Sequence, residues 1–292
     1  MDVWIRAAAI CGGVVVIFAI LGLFVGAPPS TGFIELNERR IAEFRAAHPI
    51  ESPGTLRVVM LGNSRLKYAT VDDATMRRVA AEQNVQSLEV FRVVANWAVF
   101  SNFEPLLDEI ETLDADVYVL QLELVVEDMT ELFKHILFLQ HVRWKISGEG
   151  SWAWFEPDPE QFDTPCDEAP GAAADHRNFR GRFRLKTDPN SASALAAQEF
   201  IRNVTAKGAR VVLVSIPKTS HLEELYPSIG DELRAISGRL SRETGGTQLL
   251  VYPGGLSDDY YCDVSHMNWM GAEAYLHWLL PNLASLRSVA AQ

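Results

Sequence analysis

Five short apolar runs, rich in β-branched residues, restrict the possible folds of this chain more than any other feature. They are residues 56–61 (LRVVML), 89–94 (EVFRVV), 116–124 (DVYVLQLEL), 209–216 (ARVVLVSI) and 248–252 (QLLVY). Runs of this length and composition read as buried strands. Between and after them, residues 70–84, 103–113, 198–207, 222–244 and 271–283 read as helices. Strands that alternate with helices predict an α/β fold, with a doubly wound, mainly parallel sheet of about five strands covered on both faces. Hydrophobic residues make up 48% of the 292, enough for a substantial core in one three-layer domain.

The amino-terminal end stands outside this alternation. Residues 7–26 (AAAICGGVVVIFAILGLFVG) carry no charge. That length crosses a bilayer as one helix. Arg6 precedes the run, and the first acidic residues after it are Glu35 and Glu38. This asymmetry predicts a cytoplasmic amino terminus and an exported remainder. The expected setting is a bacterial inner membrane crossed once, with the carboxyl-terminal domain in the periplasm. The rival reading is a cleaved signal peptide, with Val25-Gly26-Ala27 as the cleavage site. The chain then divides into an anchor or signal at 1–27, a linker and membrane-proximal helix at 28–55, and a catalytic domain at 56–292. Within that domain, residues 144–193 are rich in Pro, Asp and Gly and form an expected irregular insertion. Its Trp152 and Trp154 are candidates to stack on sugar rings, or else to anchor the insertion onto the domain.

Charge and cysteine usage narrow the function. A formal net charge of −12 excludes a nucleic-acid binder that relies on a basic surface. Of the three cysteines, Cys11 lies in the apolar run, and Cys166 and Cys262 remain. Those two can pair in an oxidising compartment or stay as thiols. No Cys/His spacing suggests a zinc site, and neither metal nor cofactor is expected.

Two short motifs carry chemistry. Gly62-Asn63-Ser64-Arg65 follows the first strand, and Asp263-Val-Ser-His266 lies between the last strand and the last helix. In an open α/β sheet, ligands sit at the carboxyl ends of strands, which is where both motifs fall. A serine hydroxyl is a poor nucleophile until a base removes its proton. Histidine suits that task, and a carboxylate on its other nitrogen fixes the tautomer. Ser64, His266 and Asp263 are therefore the catalytic candidates. Taken alone, Asp263 also reads as a turn former and His266 as a loop histidine. Arg65 and Lys67 read either as holders of an anionic substrate or as surface charges at a helix start.

The order and placement of these motifs resemble the SGNH/GDSL hydrolase superfamily. Residues 263–272 (DVSHMNWMGA) are similar to membrane-anchored SGNH proteins of bacterial envelopes that serve exopolysaccharide O-acetylation. The resemblance implies the three-layer fold and an acyl-serine intermediate. It also implies a polysaccharide acceptor and an acyl donor supplied by a membrane-bound O-acyltransferase. It further implies oxyanion donors from Ser64 and from a residue after the second strand. That residue is Ala98 here, where glycine is usual, with Asn96 as a side-chain candidate. The family's asparagine after the third strand is missing, and Glu123 lies there instead. The expected function is an exported serine-dependent O-acyltransferase. Its alternatives are an esterase of the same fold, or an anchored scaffold protein with a degenerate site.

Overall fold

The computed structural model describes residues 31–47, 55–85, 87–96, 98–130, 166, 185–225 and 230–290. The apolar run 7–26 and most of the 144–193 insertion, including Trp152 and Trp154, lie outside these residues. No helix among the described residues is long and apolar enough to cross a membrane.

The first described element is helix α1 (Thr31–Ala47), then come β1 (Leu56–Gly62), α2 (Ser64–Thr70), α3 (Asp73–Glu82) and β2 (Leu88–Val94). Helical turns at Phe100–Asn102 and Glu104–Leu106 lead into α4 (Leu107–Glu111) and β3 (Val117–Gln121). A turn at Leu122–Val125 precedes β4 (Glu127–Met129). There follow β5 (Leu185–Thr187), α5 (Ala192–Ala206), β6 (Arg210–Ser215), α6 (Ser220–Leu225), α7 (Asp231–Thr244), β7 (Thr247–Val251) and α8 (Trp269–Ala290).

The main sheet is parallel throughout, in the order β2-β1-β3-β6-β7. Its strands match the five apolar runs to within a few residues. Alternate side chains feed two cores. Val58, Met60, Val117, Val119, Val212 and Val214 pack on one face with α2, α3 and α8. Val59, Leu61, Tyr118, Leu120, Val211 and Leu213 pack on the other with α1, α4, α5 and α7. Burial on both faces explains why the strands read as continuous apolar runs without alternation. The chain leaves β1 for β2 on one side and later returns to β3 on the other. The carboxyl ends of β1 and β3 therefore bound the switch-point crevice where open α/β sheets bind ligands.

Three elements differ from the sequence expectation. The helix expected over 70–84, with Asp72 or Asp73 near its start, forms as α3, but it starts three residues later than 70. Val71 takes φ 34°, and Asp72 starts α3 afresh, accepting a hydrogen bond from the Thr75 N–H (2.7 Å). The third strand ends at Gln121, because residues 122–125 coil into a 3₁₀ turn. The strands β4 and β5 pair antiparallel over three residues each. They are too short to leave a periodic signal.

Candidate active site

Ser64 is the first residue of α2, directly beyond the carboxyl end of β1. Asn63 caps that helix: its Oδ1 accepts from the Arg65 N–H (3.0 Å) and its carbonyl from the Lys67 N–H (3.0 Å). Gly62 is required for space. A Cβ there would sit 2.4 Å from Leu66 Cβ, so only glycine lets α2 start so close to the strand. Its φ is not left-handed, so close approach is the constraint, and not the conformational freedom expected of a sharp turn.

His266 and Asp263 come from the loop between β7 and α8. His266 Nε2 lies 2.8 Å from Ser64 Oγ, and its Nδ1 lies 2.6 Å from Asp263 Oδ2. A carboxylate only accepts, so the Nδ1 proton faces Asp263 and the Nε2 lone pair faces the serine hydroxyl. Asp263 also holds the loop, as its Oδ1 accepts from the Ser265 and His266 N–H groups, both at 2.8 Å. One carboxylate thus serves as turn former and as imidazole partner. Burial opposes its charge, but the His266 contact and the two backbone donors outweigh burial and hold its carboxyl below the ordinary value. The loop is pinned from three sides. Thr219 Oγ1 donates to the Val264 carbonyl (2.9 Å), Cys262 N donates to the His266 carbonyl (3.0 Å), and a disulfide joins Cys262 to Cys166 with a Cα–Cα distance of 6.0 Å.

The oxyanion donors are only partly those expected. The Ser64 N–H has no acceptor among the described residues. The Ala98 N–H, in contrast, is directed at the Ala95 carbonyl (3.3 Å). That engages the donor assigned to the hole from sequence. Asn96 remains as the carboxamide beyond β2. It is half-buried, and its Oδ1 is buried without a partner among the described residues. The Ala95 N–H donates to the Gly62 carbonyl (3.2 Å), which ties this stretch to the turn that carries Ser64. At the carboxyl end of β3, fully buried Gln121 accepts from the Asn63 N–H through Oε1 (2.9 Å), while its Nε2 has no partner among the described residues.

Arg65 does not present its charge to solvent. It is 11% exposed and pairs with Glu123 (2.6 Å), which is 4% exposed, and more distantly with Glu127 (4.0 Å). Neither an open anion-binding arginine nor a surface charge describes this. Lys67 is also buried, with its Nζ 5.0 Å from the Tyr68 ring centroid. Glu123, where the resemblance implies asparagine, is therefore half of an internal ion pair with the neighbour of Ser64 in sequence. Burial and the nearby Glu123 charge, opposed by Arg65 and Lys218, push Glu127 up to about 7. Burial, then the Arg65 charge, lower the Lys218 amine to about 8.

Sequence reasoning missed Tyr68. Its ring packs against the His266 imidazole, with centroids 4.9 Å apart. Its i+4 spacing from Ser64 on α2 is the available signal. Burial and the Asp263 charge raise its phenol, which keeps the ring neutral. Among the described residues, Glu82, Glu273 and His277 could offer metal ligands on the paired surfaces of α3 and α8. Arg78 already pairs with both carboxylates there (2.8 and 2.7 Å).

No protein-family model and no curated protein matches the chain. A lipase/acylhydrolase structure from Enterococcus faecalis aligns at 12% identity with a TM-score of 0.39, covering 79% of this chain and 96% of that one. An acetyl xylan esterase structure aligns at 14% identity with a TM-score of 0.38, covering 81% and 100%.

Proposed function

We propose that this chain is an exported, serine-dependent O-acyltransferase acting on an envelope or extracellular polysaccharide. The observation that carries the acyl-transfer step is the hydrogen-bonded line Asp263–His266–Ser64 at the switch-point crevice. Ser64 Oγ attacks the acyl carbonyl as His266 Nε2 takes the hydroxyl proton. The tetrahedral oxyanion draws on the Ser64 N–H, with Asn96 as side-chain donor. As the intermediate collapses, the donor's C–O bond breaks and His266 returns its proton to the leaving oxygen. The acyl-serine is then attacked by a glycan hydroxyl, whose proton passes to His266 and finally back to Ser64. The anchor run at 7–26 and the tail at 263–272 support the envelope setting. The Cys262–Cys166 disulfide supports export, since such bonds persist in oxidising compartments.

The test is intact-mass analysis of the protein after exposure to an activated acetyl ester. One acetyl group on Ser64 is expected, and Ser64→Ala should lose both the adduct and ester turnover, by about 10⁴-fold or more. Unchanged turnover in Ser64→Ala overturns the proposal. Addition of an oligosaccharide acceptor should divert the acetyl group to sugar; release of acetate alone would assign a hydrolase.

A further inference from the structure

Helix α1 is packed onto the domain in a defined direction relative to the strands. The sequence suggests a linker with a membrane-proximal helix, but α1 is built into the core: Phe33, Leu36, Asn37 and Ile41 are buried. Its contacts define its direction. Near its start, Phe33 packs on Phe103 (6.1 Å between ring centroids), in the segment that follows the carboxyl end of β2. Midway, Arg40 donates to the Arg92 carbonyl (3.0 Å). Near its end, Phe44 packs on Phe91 (5.2 Å) and lies 6.0 Å from the guanidinium of Arg57, the second residue of β1. Arg45 pairs with Glu109 (3.0 Å), midway along α4, as the chain returns towards the start of β3. Helix α1 therefore runs antiparallel to the strands. It starts at their carboxyl ends, the end that carries Ser64, Asp263 and His266.

The apolar run ends at Gly26 and α1 starts at Thr31. Those five steps of chain reach at most about 18 Å. If residues 7–26 span a bilayer, the membrane surface lies that close to the catalytic end of the sheet, and the opposite end points away. A second observation agrees. Trp269 opens α8 at the same end, three positions after His266, and is 57% exposed. An exposed indole is the side chain that favours the bilayer interface. The net charge of −12 provides no attraction to an anionic leaflet, so the covalent span supplies the proximity.

We propose that the carboxyl-end face of the sheet, with the Ser64 mouth and Trp269, rests against the lipid bilayer surface. This rests on the reading of residues 7–26 as a retained membrane span. The test uses the full chain in vesicles of phosphatidylethanolamine and phosphatidylglycerol containing a headgroup nitroxide lipid. In a Cys11→Ser background, a fluorophore is placed at Ser101→Cys, on the catalytic end, or at Ser87→Cys, just before β2 at the opposite end. Seven-residue strands separate the two ends by about 20 Å, so quenching at Ser101→Cys should exceed that at Ser87→Cys severalfold. Equal quenching, or stronger quenching at Ser87→Cys, in a chain that floats with the vesicles overturns the orientation alone. A chain that does not float with the vesicles overturns the membrane-span reading, and the orientation with it.

Discussion

At the residue scale, the site depends on small groups that hold His266 and on a charge cluster beneath it. Tyr68 is a positioning residue. Its ring limits imidazole movement and favours the imidazolium that forms when Ser64 gives up its proton. An aromatic face over a cation contributes about 0.5–2 kcal/mol, so Tyr68→Leu should lower kcat by about 3- to 30-fold with KM little changed. Tyr68→Phe should restore most of the rate; failure to do so would assign the effect to the hydroxyl. The charge cluster makes a separate prediction for stability. Glu127 has an ordinary value of 4.5 and is raised to about 7 in the folded chain. As pH rises between these values, the unfolded chain releases its proton first, so this group lowers stability across that window and remains unfavourable above it. Glu127→Gln should remove this slope and stabilise the protein at pH 8 by about 1–3 kcal/mol. Identical stability–pH curves for the two proteins would show that Glu127 titrates normally.

At the element scale, the decisive feature is how close α2 lies to β1. Gly62→Ala would force a Cβ onto Leu66, whose Cβ lies 2.4 Å from that position. The helix must move, and Ser64 moves with it. Overpacking of this kind costs about 1–3 kcal/mol, and the misplaced nucleophile should lose activity beyond what the stability change explains. A Gly62→Ala protein with normal kcat would mean that Ser64 tolerates displacement. The break at Val71 belongs to the same scale. Residues 64–82 are helical in character throughout, yet the chain interrupts them at a residue with φ 34°. Thr70 Oγ1 donates to the Leu66 carbonyl (2.8 Å) at the end of α2, and Asp72 recaps the chain at once. The Asp72-Asp73 pair marks a helix start in the sequence, whereas the positive φ at Val71 leaves no local mark, because a β-branched residue disfavours it.

At the scale of the whole molecule, a single cross-link joins the middle of the chain to the catalytic loop. The disulfide closes a loop of 96 residues in sequence and ends beside Asp263. Removing it by reduction, or by Cys166→Ser with Cys262→Ser, should cost about 2–5 kcal/mol in denaturant unfolding. Unchanged stability, together with three titratable thiols (Cys11, Cys166 and Cys262) in the untreated protein, would show that the pair does not form in solution. The sheet order matters at this scale as well. The crevice between β1 and β3 is created by the reversal of winding direction, and Ser64, Gln121 and Glu123 meet there from distant parts of the sequence.

The strands, the two-sided cover and the order of the catalytic candidates were legible in the sequence because each leaves a local mark. Buried parallel strands leave apolar β-branched runs, and helices leave periodicity. A serine after the first strand and Asp-x-x-His before the last helix leave short motifs at set places. What required the tertiary structure were the interactions between groups far apart in the chain. Ser64 and His266 are 202 positions apart, and the stretch between them carries no signal that their atoms lie 2.8 Å apart. In the sequence Glu123 stands for a missing donor, whereas in the fold it pairs with Arg65. The same holds for the direction of α1, whose amphipathic pattern is unchanged when the helix is reversed. Local sequence specifies what each segment prefers, whereas contact, burial and charge compensation arise only when the segments are packed together.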